Sequence, residues 1–438
     1  MANVRAQLDQ PADPAEIAEY FDRLWPILRS ITGPGVRRTH DILGELIPLE
    51  RIEVPSGTAV FDWTVPLEWV PREAYVITPD GRRILDVAEN NLHLVNYSVP
   101  YRGRVTREEL DTHLHSLPDR PKAIPYITSY YQERWGFCIS QEQRDSLPDG
   151  EYDVVVKTEL IDGSLTVSEA VLPGDEPSEI LFSTDTCHPS LANNELSGPL
   201  VTAFLYRRLA AMPRRRFTYR FAFLPETIGA IAYLARYGEG FRDNLRAGYV
   251  VSCVGTDAPF TYKRSRRGDT EADRAAIWTM ERFRGNSFKV IDFNPASGSD
   301  ERQYCSPAFN LPVGSLMRSV YGTYPEYHTS LDNRELVSFE AMSESVEAYY
   351  RICETLELNG RFQNLIAECE PQLGKRGLYA SIGGAVQMAA ETAATLWMLN
   401  YSDGKHDLLG IAEKSGQDIR LLAQAAEKCV KAGIARRL

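Results

Sequence analysis

The sequence predicts an α/β protein built on a mainly parallel mixed sheet flanked by helices, with a small inserted β-rich domain and a winged-helix-like C-terminal domain. Residues 125–360 alternate continuous apolar strands with amphipathic helices, which is typical of a parallel sheet covered on both faces. Residues 61–124 show short alternating runs, and residues 375–438 contain three short helical stretches. Residues 1–60 are predicted to form a helical N-terminal part of the α/β domain.

Local signals support the first half of this arrangement. Between Pro14 and Gly44 the pattern is helical, with one break at TGPG, residues 32–35. In the β-rich segment, PDG at residues 79–81 predicts a hairpin turn. A second hairpin is predicted where the alternating segments DGEYDVVVKTEL and SLTVSEAVL flank IDGS, residues 161–164.

Local signals also support the predicted elements in the second half of the chain. Three apolar strands, EILFST, FTYRFAFL and AGYVVSCVG, are interleaved with amphipathic helices. A long helix from Ser338 to Leu358 closes the α/β domain. The last two helices of the tail are joined by a tight turn at Ser415 and Gly416, a spacing typical of a helix-turn-helix.

The composition narrows the classes of function. A chain of 438 residues with 43% hydrophobic residues predicts two or three domains. Its 48 basic and 60 acidic residues give a formal net charge of -12, which does not favour a dedicated binder of nucleic acid or of an anionic membrane. Seven dispersed cysteines without a CxxC pair indicate reduced thiols. No apolar run of about 18 residues and no leader-like start is found, so we expect a cytoplasmic protein without a membrane partner.

Four polar residues fall where strands of the predicted sheet end. His188 follows EILFST, Glu226 follows FTYRFAFL, and Asp300 and His328 lie in later loops. Ligands gather at the carboxyl ends of strands in open α/β sheets, and two histidines with one carboxylate form a common zinc set. Taken singly, each residue also has a structural interpretation: a hydrogen-bonded loop histidine, a helix cap or a turn aspartate.

The set of motifs gives these residues more weight than each has alone. The segments CHPSLANNELSG, PETIGAIAYL, GSDERQYC and YHTSLDN occur in this order. Their order resembles the zinc aminopeptidase superfamily that also contains the glutaminyl cyclases. More closely, it resembles a bacterial aminopeptidase-like branch with a small inserted domain and a winged-helix end. The resemblance extends over nearly the whole chain and implies a zinc aminopeptidase-like fold.

The resemblance implies roles for the four residues. His188 matches the first zinc histidine, Glu226 the general base and His328 the last zinc histidine, and Asp300 matches an aspartate that we infer completes the metal site. The sequence departs from the two-zinc pattern where it has Asn194, Thr227 and Ser190 in place of acidic residues. A neutral amide is a poorer metal bridge than a carboxylate. We therefore expect one zinc per chain.

Further residues are candidates for supporting roles. Asp185 or Asp332 could orient a ligand imidazole, and Asn194 occupies the position of the lost bridge. A free substrate ammonium would need an acidic partner, and a carboxylate or aromatic group would need a cation or a ring. The acidic partner of the ammonium could be Glu301, Glu195 or Glu326. The residues that could contact a carboxylate or aromatic group are Arg302, Tyr304, Tyr324 and Tyr327.

The sequence favours a zinc-dependent, aminopeptidase-like hydrolase acting on a small peptide or aminoacyl-amide substrate. One alternative keeps the site but performs acyl transfer or cyclisation. Another alternative is a regulatory protein that binds DNA or a partner through its tail and carries a vestigial peptidase domain. Residues 361–438 hold ten Lys/Arg against eight Asp/Glu, which does not favour nucleic acid as a partner. In the structural interpretation, the tail packs on its own domain or, in a homo-oligomer, on a second subunit.

Overall fold

A computed structural model describes residues 11–378 and 386–438 of the protein. The chain divides into two compact units. The first unit comprises Met1–Asp273 and Asn286–Tyr349, and the second comprises Arg274–Gly285 and Tyr350–Leu438. Within the described residues, no helix combines the length and the apolar character that crossing a lipid bilayer would require.

The strands and helices alternate along most of the chain. The strands are β1 (Glu50–Pro55), β2 (Ala59–Val60), β3 (Trp63–Thr64), β4 (Glu68–Ile77), β5 (Arg83–Ile84), β6 (Tyr101–Thr106), β7 (Leu114–His115), β8 (Phe137–Cys138), β9 (Glu151–Ile161), β10 (Ser164–Leu172), β11 (Glu179–Asp185), β12 (Thr218–Leu224), β13 (Leu245–Val250), β14 (Thr261–Lys263), β15 (Lys289–Ile291), β16 (Val313–Met317), β17 (Arg361–Asn364), β18 (Asp403–Asp407) and β19 (Ala435–Arg437). The α-helices are α1 (Pro14–Leu24), α2 (Pro34–Leu43), α3 (Arg107–Thr112), α4 (Gln141–Asp145), α5 (Ser197–Ala210), α6 (Ile228–Asn244), α7 (Glu271–Arg284), α8 (Glu301–Tyr304), α9 (Phe339–Leu358), α10 (Val386–Tyr401), α11 (Leu408–Ser415) and α12 (Ile419–Lys431).

The first unit is organised around an eight-stranded mixed sheet in the order β1-β10-β12-β11-β13-β16-β14-β15. Its centre, β12-β11-β13-β16, is parallel throughout. Strands β10 and β14 join this centre antiparallel at its two sides. Residues 180–182 of β11 are buried, as expected for a central strand covered on both faces. The predicted mainly parallel mixed sheet is confirmed.

The N-terminal helices form where the sequence predicts them. Asp13 caps α1 by accepting a hydrogen bond from the Ala15 amide, and α1 ends before the TGPG break. Gly33 precedes α2 with φ of 99°, a conformation that favours glycine. A Cβ at this position would also lie 2.2 Å from the Trp69 carbonyl oxygen. The break is therefore set both by backbone conformation and by packing against the β-rich segment.

The β-rich segment forms a second, antiparallel sheet in the order β5-β4-β9-β6. The predicted PDG hairpin is present, because Val76 pairs with Ile84 across a turn in which Gly81 has φ of 83°. Strand β9 lies at the centre of this sheet, although its residues come after position 124, the predicted end of the β-rich domain. Long-range pairing therefore brings residues 151–161 into this sheet.

The predicted hairpin at residues 161–164 is wrong. Strand β9 pairs with β4 and β6, whereas β10 pairs with β1 and β12 of the other sheet. The chain changes sheet at Gly163, where an added Cβ would lie 2.3 Å from a Glu68 carboxylate oxygen. Glu68 also accepts a hydrogen bond from the Ser164 amide. The chain does bend between the two strands, as the turn residues predict, but the two strands do not pair with each other.

The second unit has the winged-helix arrangement predicted for the tail. Strands β18, β17 and β19 form a three-stranded antiparallel sheet beside α10, α11 and α12. Gly416 ends α11 in the left-handed conformation, and the Asp418 side chain caps α12. Strand β17 precedes residue 375, so the sheet of this unit includes a segment upstream of the predicted helices.

We predict that Gly198→Ala destabilises the first unit by about 1–3 kcal/mol because the start of α5 is pressed against two strand ends. An added Cβ would lie 2.3 Å from the Val251 carbonyl oxygen and 2.5 Å from Thr184 Oγ1. The control is Gly240→Ala in α6, where no atom lies within 4 Å of the added Cβ. Urea unfolding should show that this control is neutral or more stable by up to about 1 kcal/mol. Equal effects of the two variants would contradict the proposed close packing.

Candidate active site

Four loops converge at the carboxyl ends of the parallel strands. They follow β11, β12, β13 and β16 and carry residues 186–196, 225–227, 251–254 and 318–332. Of the ten non-glycine residues with positive φ in the described part of the chain, four lie in these loops: Ser190, Thr227, Cys253 and His328, with φ between 44° and 65°. Such backbone conformations cost free energy and cluster at functional sites. This edge of the sheet is therefore the candidate active site.

His188 lies buried between two glutamates. Its Nδ1 is 2.7 Å from Glu195 Oε2, and its Nε2 is 3.6 Å from Glu226 Oε2. Burial alone would lower the pKa of His188, but the negative charges of Glu195 and Glu226 and the hydrogen bond to Glu195 raise it to about 9. The buried Arg29 guanidinium donates to the His188 carbonyl oxygen at 2.9 Å. Both the ring and the backbone of His188 are thus fixed.

A cluster of carboxylates lies beside His188. The Ser299 hydroxyl contacts Glu226 Oε1 at 2.7 Å and Asp185 Oδ2 at 3.0 Å. Asp300, the next residue, accepts a hydrogen bond from the Thr227 amide at 2.7 Å. Burial, followed by the charges of neighbouring carboxylates, raises the pKa of Asp300 to about 7 and that of Asp185 well above its ordinary value.

His328 lies next to His188. The two ring centroids are 5.3 Å apart, and Tyr126 packs on both rings at 5.0 and 5.4 Å. Tyr327 stacks on His328 with its centroid at 4.0 Å. Desolvation and then the nearby His188 lower the pKa of His328 to about 3, so this imidazole is neutral at neutral pH. The structure therefore brings the two predicted zinc histidines together.

The loops that carry these histidines are tied to each other. The Asp332 carboxylate accepts hydrogen bonds from the amides of Asn193 and Asn194 at 2.6 and 3.0 Å. The Ala192 amide donates to the Asp332 carbonyl oxygen, and the Tyr126 amide donates to that of His328. Asp332 therefore stabilises the π-helical turn Ala192–Leu196 by bonding the main chain of that turn. Among the described residues, Asp332 makes no hydrogen bond to an imidazole.

The other predicted site residues lie around this centre. The Asn194 side chain contacts Cys253 Sγ at 3.8 Å, and Arg302 donates through Nε to the Ser299 carbonyl oxygen. The Tyr304 hydroxyl is buried against Ser183. Glu301 is fully buried and directs one oxygen to Lys263 and the other to the Ser299 amide. Both Glu301 oxygens therefore bond groups of the protein itself, which differs from the predicted role as the partner of a substrate ammonium.

Three contacts of this site are not predictable from the sequence. Glu195, considered only as a partner for an ammonium, is the residue that bonds His188. Cys187 Sγ accepts a hydrogen bond from the Glu226 amide at 3.2 Å, and its ligand atom lies within 4.8 Å of those of His188 and Glu195. Ser299 contacts the predicted base. An irregular turn carries Glu195, so no helical or strand spacing in the sequence could reveal its contact with His188.

The site is rich in atoms that can bind a divalent cation. Among the described residues, the ligand atoms that lie within 4.8 Å of one another are those of Cys187, His188 and Glu195, whereas those of His188, Asp300 and His328 do not form such a group. Five buried atoms of the site have no hydrogen-bond partner among the described residues: Asp185 Oδ1, Asn194 Oδ1, Glu195 Oε1, Asp300 Oδ2 and His328 Nε2. Buried polar atoms are normally paired, and several buried carboxylates together strongly favour a positive partner. Across residues 11–378 and 386–438, no lysine or arginine donates a hydrogen bond to the carboxylates of Asp185, Glu195, Glu226 and Asp300. Imidazole and carboxylate donors suit zinc.

The fold belongs to the class of zinc aminopeptidase-like α/β proteins. A zinc aminopeptidase from Bacillus subtilis is 13% identical, with a TM-score of 0.58 over 78% of this chain and 94% of that chain. An aminopeptidase from an Aneurinibacillus strain is 12% identical, with a TM-score of 0.51 over 80% of this chain and 95% of that chain. The likeness to these two structures concerns the fold alone.

The chain belongs to the family described as a domain of unknown function, DUF4910, which matches residues 18–359. A winged helix-turn-helix family matches residues 361–437. A crystal structure of a provisionally named peptidase from Clostridium acetobutylicum is 42% identical, with a TM-score of 0.89 over 100% of this chain and 99% of that chain. A protein from the same species is 46% identical over 412 residues, 94% of each chain, and is provisionally named a polysaccharide biosynthesis protein with an aminopeptidase-like domain.

We predict that the carboxyl group of Asp300 makes the metal-free protein less stable as pH rises. Its pKa is about 7 in the folded state, above the ordinary value of 3.8, so the folded state binds more protons between these values. The stabilising contribution is therefore present at low pH and is lost as pH rises through about 7. In chemical unfolding, the free energy of unfolding of the wild type minus that of Asp300→Asn should fall between pH 4 and pH 7. A difference that stays constant or rises would contradict the assigned pKa.

Proposed function

We propose that the protein is a zinc-dependent, aminopeptidase-like hydrolase that cleaves an amide bond. In this proposal His188, His328 and Asp300 hold one zinc ion, and Glu226 is the general base. The supporting observation is that the ring centroids of His188 and His328 lie 5.3 Å apart, with Glu226 beside His188. Several buried oxygen and nitrogen atoms around them have no hydrogen-bond partner among the described residues. When bound, zinc would polarise the scissile carbonyl group and lower the pKa of a coordinated water.

Glu195 prepares His188 for this role. In the neutral form that metal binding would require, Nδ1–H donates to Glu195 Oε2 and the Nε2 lone pair lies on the side of Glu226. The pKa of about 9 means that a bound metal ion would displace the Nε2 proton. Metal-binding histidines commonly donate their other ring N–H to a carboxylate, which fixes the ring and increases its basicity. In the proposed site, Glu195 has the orienting role that the sequence analysis considered for Asp185 or Asp332.

Glu226 is positioned to transfer a proton. The Ser299 hydroxyl contacts Oε1, so the second oxygen, Oε2, is turned toward His188. The Glu226 carboxylate would take a proton from the attacking water and deliver it to the nitrogen of the leaving amine, which returns the carboxylate to its starting state. Its side chain is 27% exposed, in contrast to the fully buried Glu195, so a substrate can reach it.

The substrate is proposed to be a small peptide or an aminoacyl amide. The name of one relative, a peptidase, agrees with this class. The name of the other relative refers to polysaccharide biosynthesis, so an amide borne by a sugar is a second substrate to test. Release of free amine distinguishes hydrolysis from the cyclisation considered as an alternative.

The winged-helix unit supports a second candidate function, binding of DNA or of a partner. Two basic side chains of α12 are already paired, Arg420 with Glu354 and Lys428 with Glu391. Exposed pairs of this kind weaken the positive field that phosphate contacts require. Duplex binding at low salt tests this candidate: tight binding would support it, and its absence at all salt concentrations would contradict it.

We predict that Glu226→Gln abolishes turnover while the protein keeps about one zinc per chain, because the amide cannot accept the proton. His328→Ala should lose both zinc and turnover. Elemental analysis and an amine-release assay on peptide and aminoacyl-amide substrates measure the two properties. Glu239→Gln, an exposed change in α6, is the control and should behave as the wild type. Full activity in Glu226→Gln, or wild-type protein that binds no metal, would contradict the proposal.

A further inference from the structure

A buried ion pair lies behind the loop that carries Ser299. Lys263 Nζ, at the end of β14, is 2.7 Å from Glu301 Oε1, at the start of α8. The side chains are 3% and 0% exposed. Removing two charges from water costs free energy that their attraction often does not recover, so a buried pair by itself is weak evidence for a role in stability. The pair therefore calls for another explanation.

Lys263 bonds the loop at several points. Its ammonium group donates to Glu301 Oε1, to the Ser297 carbonyl oxygen and to the Asn294 carbonyl oxygen, the last at 3.4 Å. An ammonium group has three donors, and all three are directed to the segment between residues 294 and 301. Lys263 therefore fixes the path of this segment.

Glu301 also bonds this loop. Its Oε2 accepts a hydrogen bond from the Ser299 amide at 3.1 Å. The preceding residue, Gly298, has φ of 151°, and a Cβ there would lie 2.0 Å from Glu301 Oε1 and 2.5 Å from Lys263 Nζ. The ion pair thus packs directly against the backbone of Gly298 and is bonded to that of Ser299.

The loop in turn holds Glu226 at two points. The Ser299 hydroxyl contacts Glu226 Oε1 at 2.7 Å, which fixes the side chain. The Asp300 carboxylate accepts a hydrogen bond from the amide of Thr227, which directly follows Glu226 and has φ of 65°. A displacement of residues 298–300 would therefore move both the carboxylate and the backbone of Glu226.

We propose that Lys263 and Glu301 are positioning residues that act through Ser299 to hold the Glu226 carboxylate in its reactive orientation. This inference rests on the proposed hydrolase function and adds to it a requirement for the buried Lys263–Glu301 ion pair. Small misplacements of a catalytic group reduce turnover by up to about 100-fold. The ion pair should therefore affect kcat more than KM.

The experiment measures kcat, KM and zinc content for Ser299→Ala, Ser299→Thr, Lys263→Met, Glu301→Gln and the double variant Lys263→Met/Ser299→Ala. Ser299→Ala and Lys263→Met should each lower kcat by about 10- to 100-fold, with KM within about twofold of the wild type. Zinc content should stay within about twofold in Ser299→Ala, and kcat of Lys263→Met is expressed per bound zinc because the loop that Lys263 fixes also carries Asp300. Ser299→Thr keeps the hydroxyl and should recover most of the loss. Because Lys263 acts in part through Ser299, the loss of kcat in the double variant should be smaller than the product of the two single losses.

The matched control is Arg264→Met, which removes the next basic residue along the chain. The pair of Arg264 with Asp292 is partly exposed, at 3.5 Å, and we expect wild-type kinetics. If Lys263→Met does not fold, Glu301→Gln and Ser299→Ala decide the question through kcat and through recovery by Ser299→Thr.

Two results separate this inference from the proposed function. Wild-type kcat in Ser299→Ala or Lys263→Met, or fully additive losses in the double variant, would overturn the positioning role while Glu226→Gln remains inactive. No amide hydrolysis by the wild type, or full activity in Glu226→Gln, would overturn the hydrolase proposal and the positioning role with it.

Discussion

Burial of negative charge is the constraint on which this site depends. The carboxylates of Asp185, Glu195, Glu226 and Asp300 converge at one end of the central sheet, and burial and mutual repulsion raise the pKa values of the two aspartates. In the described part of the chain, these groups are bonded by hydroxyl, amide and imidazole donors rather than by lysine or arginine. A cation bound between them would relieve the repulsion and satisfy the acceptors that lack partners.

The fold holds these groups against their repulsion by bracing each loop separately. Arg29 bonds the backbone of His188, Asp332 bonds the turn that carries Glu195, and the Lys263–Glu301 pair bonds the loop that carries Asp300. All three braces act on main-chain atoms. They therefore hold the loops in place independently of any bound ligand.

The sequence predicted the parts of this structure that depend on local patterns. Continuous apolar runs predict the central parallel strands, and the Pro-Asp-Gly segment predicts the turn at Gly81. The turn after Ile161 was assigned to the wrong partner strand, because strand pairing is decided by distant segments. At the site, His188, Glu226 and His328 were selected from their motifs and the structure brings them together. The contacts of Glu195 and of Lys263 could not be predicted, since one lies in an irregular turn and the other joins segments 38 residues apart.

The most direct test is X-ray absorption spectroscopy at the zinc edge on the protein loaded with one equivalent of zinc. If zinc is held by the imidazoles of His188 and His328 with a carboxylate, the spectrum should show about four nitrogen or oxygen neighbours at about 2.0–2.1 Å and the outer scattering of two imidazoles. Cys187 is the competing ligand, since its thiol lies beside His188 and Glu195. A sulfur neighbour at about 2.3 Å, or the absence of imidazole scattering, would contradict the account.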